Sequence, residues 1–202
     1  MQTQPVFYKC PICNSIITGT KYLSGNTTGA VFFSDAYLEA AMMPPYGITY
    51  LGCPKCNKVF PSVPNEIKLE NEEAKKAIKP MASFLVHKKL LALEKLQPFQ
   101  EKAFLLWYLW DFNHKISQEE KEQEMASGDY IKNTDKLIAI LSSERGSIDS
   151  RLLSVEVLRE RGKFEEAQKA LEGASRMIDQ LQKIVEKEKE NIEAKKTEVF
   201  KI

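Results

Sequence analysis

The chain has 202 residues, 43% of them hydrophobic, and 29 Lys and Arg against 28 Asp and Glu give a net charge of +1. This is the composition of a folded globular protein with chain enough for one large or two small domains, and the charge balance argues against a protein built to coat nucleic acid. No stretch approaches the roughly 18 consecutive apolar residues of a membrane helix, and Met1 to Lys9 carry no basic and then apolar leader, so a reducing cytoplasm is the expected setting.

Residues 1–65 hold 7 of the 9 Pro, all 4 Cys and 9 of the 19 aromatic residues, with 4 Lys and 2 acidic residues. Short apolar or alternating runs at 6–9, 15–18, 30–33, 48–51 and 58–60, bounded by Gly, Pro or Asn, predict four or five short antiparallel strands. From residue 66 apolar residues recur at three- and four-residue steps, the helical period. Helices are predicted over 66–78, 81–96, 98–115, 130–143, 148–161, 164–172 and 174–197. Pro98 suits a first helical turn, Gly146 and Gly162 stand where helices should stop, and Ser117 with Glu120 forms a capping-box pattern before a polar run that also reads as a loop. The run Phe104 to Trp110 is apolar all round, which predicts a buried central helix. Past Val185 the last segment becomes Glu186-Lys187-Glu188-Lys189-Glu190, which reads as a solvated tail held by local ion pairs; Ile192 and Val199 also continue the spacing of a coiled-coil arm. The expected fold class is α+β: a small antiparallel β zinc-ribbon domain over 1–65 followed by an all-α bundle over 66–202.

The four cysteines form two copies of one motif, Cys10-Pro11-Ile12-Cys13-Asn14 and Cys53-Pro54-Lys55-Cys56-Asn57, separated by 39 residues. In such a turn both sulfurs reach one ion, backbone amides point at the first thiolate, and the residue after the second Cys takes a left-handed conformation, which Asn tolerates best after Gly. Strand runs flank both motifs, so each is expected at a hairpin tip. Two facing tips supply four thiolates about 2.3 Å from one structural Zn²⁺. A disulfide framework is disfavoured by the reducing setting, and a thioredoxin-type thiol site by the missing βαβ context. Iron is the alternative metal, since rubredoxin-like knuckles present the same four sulfurs. Four thiolates leave no position for water, so catalysis at the metal is not expected.

Between the motifs, Leu23 to Ala30 is small and polar but lacks the Lys-Ser or Lys-Thr of a phosphate loop, and reads as a tight turn. The alternative is a ligand or peptide site with Asn26, Thr27 and Asp35 as polar contacts. Of the two histidines, His87 lies among Phe84, Leu85, Leu90 and Leu91 and reads as packed or surface, while Asp111, Asn113 and His114 read as the polar end of the Trp107 helix.

Residues 151–171 read as helix, Gly162 turn and second helix, and resemble one tetratricopeptide-type hairpin with Phe164 packing back and Ala167 small at the contact. The paired Cys-Pro-x-Cys motifs, Ser24-Gly25-Asn26-Thr27 to Gly29-Ala30 with Ser34-Asp35, the Trp107 to Asn113 helix and the Leu158 to Ala167 hairpin together resemble a group of bacterial proteins with an N-terminal zinc ribbon and a helical C-terminal part. The sequence departs from that pattern at Phe33, where a Trp is expected, and at His114, where an acid is commoner. The resemblance implies architecture and no catalytic residue.

The function expected is that of a non-enzymatic zinc-binding module meeting a protein partner through its helices, with a second copy of the chain as the other partner to test. The alternatives are a rubredoxin-like iron protein for electron transfer and a weak nucleic-acid-binding zinc ribbon. The last is disfavoured because Lys9, Lys21, Lys55 and Lys58 are too few to neutralise a phosphate backbone.

Overall fold

Alternation along the first strand sets the first core. In β1 (Thr3–Lys9) Val6 and Tyr8 are buried while Lys9 is exposed, and Cys10 continues the inward series. β1 pairs antiparallel with β2 (Ile16–Tyr22) from Thr3↔Tyr22 to Lys9↔Ile16, which places Ile17 in the same core. The protein's computed structural model describes residues 3–22, 29–39, 50–69, 71–93, 96–144, 147–174 and 182–202. It is mixed α+β, with small antiparallel sheets and eight α-helices among the described residues. Two compact units result, one of Met1–Ala30 with Glu39–Gln97 and the other of Val31–Leu38 with Pro98–Ile202, rather than a division at residue 65.

In the first unit a second hairpin, β5 (Tyr50–Cys53) with β6 (Lys58–Pro61), supplies Leu51, Cys53 and Phe60 to the core. The expected helix over 66–78 is replaced by three separate pieces. Residues Glu66–Ile67 form β7 on the free edge of β1, opposite Phe7 and Tyr8. Only Asn71–Ala74 are helical, as α1. Ile78 then returns to β2, its N–H donating to the Ile16 carbonyl and its carbonyl accepting from Thr18 N–H, both at 2.9 Å. Backbone groups on both edges of the hairpin thus find partners that a continuous helix would have left unmet. Met81 N–H donates to the Gly52 carbonyl at 3.0 Å, and the Met81 side chain lies where a Cβ on residue 52 would be, so only glycine fits there. Helix α2 (Ser83–Leu91) packs on β5 and β6, stops five residues short of the expected end, and buries Phe84, Val86, His87 and Leu90. His87 is a packed histidine, as its neighbours implied.

The second unit is helical, and it includes the two-residue strand β3 (Val31–Phe32), which pairs with β4 (Leu38–Glu39). Phe33 bridges Lys201, and Ile202 N–H donates to the Phe32 carbonyl, so residues 31–38 are held by the C-terminal segment. Helix α3 (Pro98–His114) buries Phe104, Leu105, Tyr108 and Leu109, but Leu106, Trp107 and Trp110 of its apolar run are only half-buried, so the expected fully buried central helix is met in part. The polar run after it is a helix, α4 (Gln118–Ser127), started by the full Ser117/Glu120 capping box and stopped at left-handed Gly128. Helices α5 (Asp129–Ser143), α6 (Ile148–Glu160), α7 (Phe164–Ala174) and α8 (Gln182–Glu193) follow. Gly162, at φ +68°, makes the turn of the α6–α7 hairpin, whose contact buries Val155, Leu158, Ala167 and Leu171 together with Ile192 of α8. The solvated-tail reading fails at Glu188, which is 1% exposed and paired with Arg159. Segments 23–28, 40–49, 145–146 and 175–181 lie outside the described residues, and with them the Ser24 to Thr28 turn, Gly146, Met177 and Ile178. No helix among the described residues is long and apolar enough to cross a membrane.

Candidate metal centre

The β1–β2 and β5–β6 hairpins belong to different sheets, and the four cysteines stand at their tips. Each knuckle closes in the same way: Asn14 N–H donates to the Cys10 carbonyl at 2.9 Å and Asn57 N–H to the Cys53 carbonyl at 2.8 Å. Asn14 and Asn57 have φ of 58° and 59°, the left-handed conformation expected after each second cysteine. The four Sγ atoms lie within 4.8 Å of one another. Cys10 and Cys56 are 3.6 Å apart across the hairpins, and Cys13 and Cys53 3.5 Å. A tetrahedron of sulfurs about 2.3 Å from a central ion has edges of about 3.8 Å, so the donors present fit one metal ion.

Cys10 and Cys53 are buried, while Cys13 and Cys56 are half-buried. The Ser15 hydroxyl lies 3.2 Å from Cys13 Sγ, and with the Ser15 backbone amide it favours the thiolate, lowering Cys13 to about 6. Burial acts the other way on Cys56 and raises it to about 12, against a stabilising backbone bond from Lys58. At Cys13 a backbone amide thus favours the thiolate, and at Cys56 another opposes the effect of burial. Four thiols this close cannot all ionise without a cation between them, and a divalent metal removes that repulsion.

No family model matches the chain, and no curated protein or solved structure matches it significantly.

The second unit gathers groups that the sequence separated. Asp35, fully buried, accepts from Asn113 Nδ2 and pairs with His114 Nε2, both at 2.9 Å, and its backbone carbonyl accepts from Trp110 Nε1 at 2.8 Å. Asp111 faces elsewhere, paired with Lys115 at 2.9 Å. Of the proposed loop contacts Asn26, Thr27 and Asp35, the first two lie outside the described residues, while Asp35 is committed to this cluster. Sequence reasoning missed the buried ion network around Arg159. Its guanidinium, fully buried, meets Glu156 at 2.7 Å and Glu188 at 3.0 Å, and the Ser34 hydroxyl donates to Glu156 at 2.7 Å. The only sequence signal was an Arg and two acids on helices whose partners are set by tertiary packing.

Proposed function

We propose that the protein is a zinc protein in which the four-cysteine centre is structural, a ribbon of two rubredoxin-like knuckles, and that the chain serves as a non-enzymatic binding module. The observation that carries this reading is the convergence of Cys10, Cys13, Cys53 and Cys56 from two hairpins that share no backbone ladder. The bound ion would supply the cross-link that hydrogen bonding does not. Among the described residues the core at the knuckles is small: Val6, Tyr8, Ile17, Leu51 and Phe60 with Cys10 and Cys53, and Ile78 packed against them. A structural zinc contributes on the order of 10 kcal/mol, which outweighs any one of those side chains. A closed set of thiolates suits zinc and leaves no open position for a reacting water. The helical unit would meet a protein partner: Phe99, Met125 and Ile131 are exposed on its helices, and the left-handed Gly162 between α6 and α7 supports reading that pair as a tetratricopeptide-type hairpin. Elemental analysis with a visible spectrum, on protein purified without added metal, tests the metal assignment. One zinc per chain and no colour supports it; iron with sulfur-to-metal charge-transfer bands, or no metal, overturns it.

A further inference from the structure

The four cysteines divide by accessibility and pair across the hairpins. Cys10 and Cys53, the first of each motif, are fully buried. Cys13 and Cys56 are half-buried, among the exposed tip residues Ile12, Asn14, Lys55 and Asn57. Cys13 Sγ stands 3.5 Å from Cys53 Sγ, and Cys56 Sγ stands 3.6 Å from Cys10 Sγ. Each crossed pair thus joins a sulfur that solvent reaches to one that it does not.

Zinc has no redox chemistry of its own, so any electrons a zinc centre gives up come from its sulfurs. The thiolate is the form that attacks a peroxide, and access selects which thiolate does so. A sulfenic acid formed on Cys13 or Cys56 has a buried sulfur of the opposite hairpin 3.5 or 3.6 Å away to resolve it. An S–S bond of about 2.0 Å requires each pair to close by about 1.5 Å. A disulfide inside one motif would instead bond two sulfurs of a turn already closed by the Asn14 or Asn57 N–H, and would leave the hairpins unlinked. The crossed bonds span 40 and 46 positions, and a cross-link that closes a longer loop restricts the unfolded chain more. They also tie together two sheets that no strand ladder joins. In a reducing compartment such bonds are transient and sensing, which matches a centre that is metal-loaded at rest.

We propose that the four-cysteine centre is a peroxide-responsive modification site, in which Cys13 and Cys56 are oxidised, Cys53 and Cys10 resolve them, and two crossed disulfides replace the zinc as the link between the hairpins. This rests on the zinc reading of the centre. At each pair the accessible thiolate attacks one peroxide oxygen: the S–O bond forms, the O–O bond breaks, and the departing hydroxide takes a proton to become water. The buried thiolate then attacks that sulfur, the S–S bond forms, the S–O bond breaks, and hydroxide again leaves as water with a proton. Two peroxides and four protons are consumed, and two disulfides, four waters and one Zn²⁺ result. Each peroxide takes up the two electrons that one disulfide gives.

Stepwise addition of hydrogen peroxide to the full-length, zinc-loaded protein tests this, with released zinc read by a chromogenic chelator and disulfides mapped by mass spectrometry of non-reduced peptides. The expected result is loss of the bound zinc, peptides joined as Cys13–Cys53 and Cys10–Cys56, and recovery of the zinc-loaded form with dithiothreitol and added zinc. Zinc retained in excess peroxide, disulfides in any pairing other than the crossed one, sulfinic acids in place of disulfides, or a product that dithiothreitol and zinc do not restore would overturn the proposal. Metal content is measured before the peroxide is added. Protein that carries no zinc at the outset overturns the zinc reading and this inference with it, whereas protein that starts with zinc and gives one of the contrary results overturns this inference alone.

Discussion

Replacing Arg159 by methionine isolates the buried network of the helical unit. The guanidinium donates five hydrogen bonds: Nε to Glu188 at 3.0 Å, Nη2 to both carboxylate oxygens of Glu156 at 2.7 Å, and Nη1 to the carbonyls of Lys196 and Glu198 at 2.7 and 2.9 Å. Methionine keeps much of the stem and removes every donor. Glu156 and Glu188, 0% and 1% exposed, are then left facing each other without a counter-charge. Glu188 is already pushed up to about 9, by burial first and then by Glu156, so it holds its proton at pH 7. The variant must protonate the second carboxyl as well, which costs about 3.4 kcal/mol at pH 7 against an ordinary value near 4.5. The two carbonyls lie in an exposed segment and can turn to water, adding about 1.5 kcal/mol. The total of about 5 kcal/mol lies at the top of the range for a buried ion pair broken from one side. For a unit of roughly 110 residues this lowers the midpoint by about 15–20 °C. At pH 5 the protonation cost falls to about 0.7 kcal/mol, so the loss should shrink by about half. Thermal melts followed at 222 nm, at pH 5 and pH 7, measure both numbers, and Glu156→Gln/Arg159→Met/Glu188→Gln should recover part of the loss because no charge remains. A shift under about 3 °C at pH 7, or a loss equal at both pH values, would refute the electrostatic reasoning.

Three further outcomes follow from the same geometry. Cys13→Ser should abolish stoichiometric metal binding and unfold the first unit while the helical unit keeps its cooperative melt; near-ultraviolet and far-ultraviolet circular dichroism together separate the two. In the wild type, Glu188 and Glu160 hold protons more tightly folded than unfolded, so their contribution is complete below about pH 4.5 and is lost as pH rises toward 9; the helical transition should lie lower at pH 9 than at pH 6. Gly52→Ala places a Cβ within 2.6–2.9 Å of Met81 Sδ, Cβ and Cγ, and denaturant melts should show a loss of about 1–3 kcal/mol that Met81→Ala partly relieves.

The knuckles were legible because their chemistry is local: spacing, the two Asn residues and the flanking strand runs each constrain a few consecutive residues, and Asn14 and Asn57 stand in the conformation required. The α3 helix was legible for a related reason, since a run such as Phe104 to Trp110 needs cover on most sides, although Leu106, Trp107 and Trp110 are only half-buried. Residues 66–78 misled because their helical spacing competes with two open strand edges, and edge pairing by Glu66–Ile67 and Ile78 is visible only once the β1–β2 hairpin exists. Residues 31–38 were grouped with the cysteines by sequence proximity, yet Ser34 and Asp35 are bound by α3, α6 and the C-terminal segment more than 60 residues away. Long-range polar pairing of this kind leaves no periodic trace. The run around Glu188 shows the limit most plainly, since the same Glu-Lys alternation serves a solvated helix and one that buries a single acid against an arginine.

The central claim, one metal ion held by four sulfurs, is tested most directly by X-ray absorption at the metal edge of the purified protein. The account predicts a zinc edge whose first shell fits four sulfurs at about 2.3 Å with no oxygen or nitrogen scatterer. A first shell containing light atoms, fewer than four sulfurs, or an iron edge in place of zinc would contradict it.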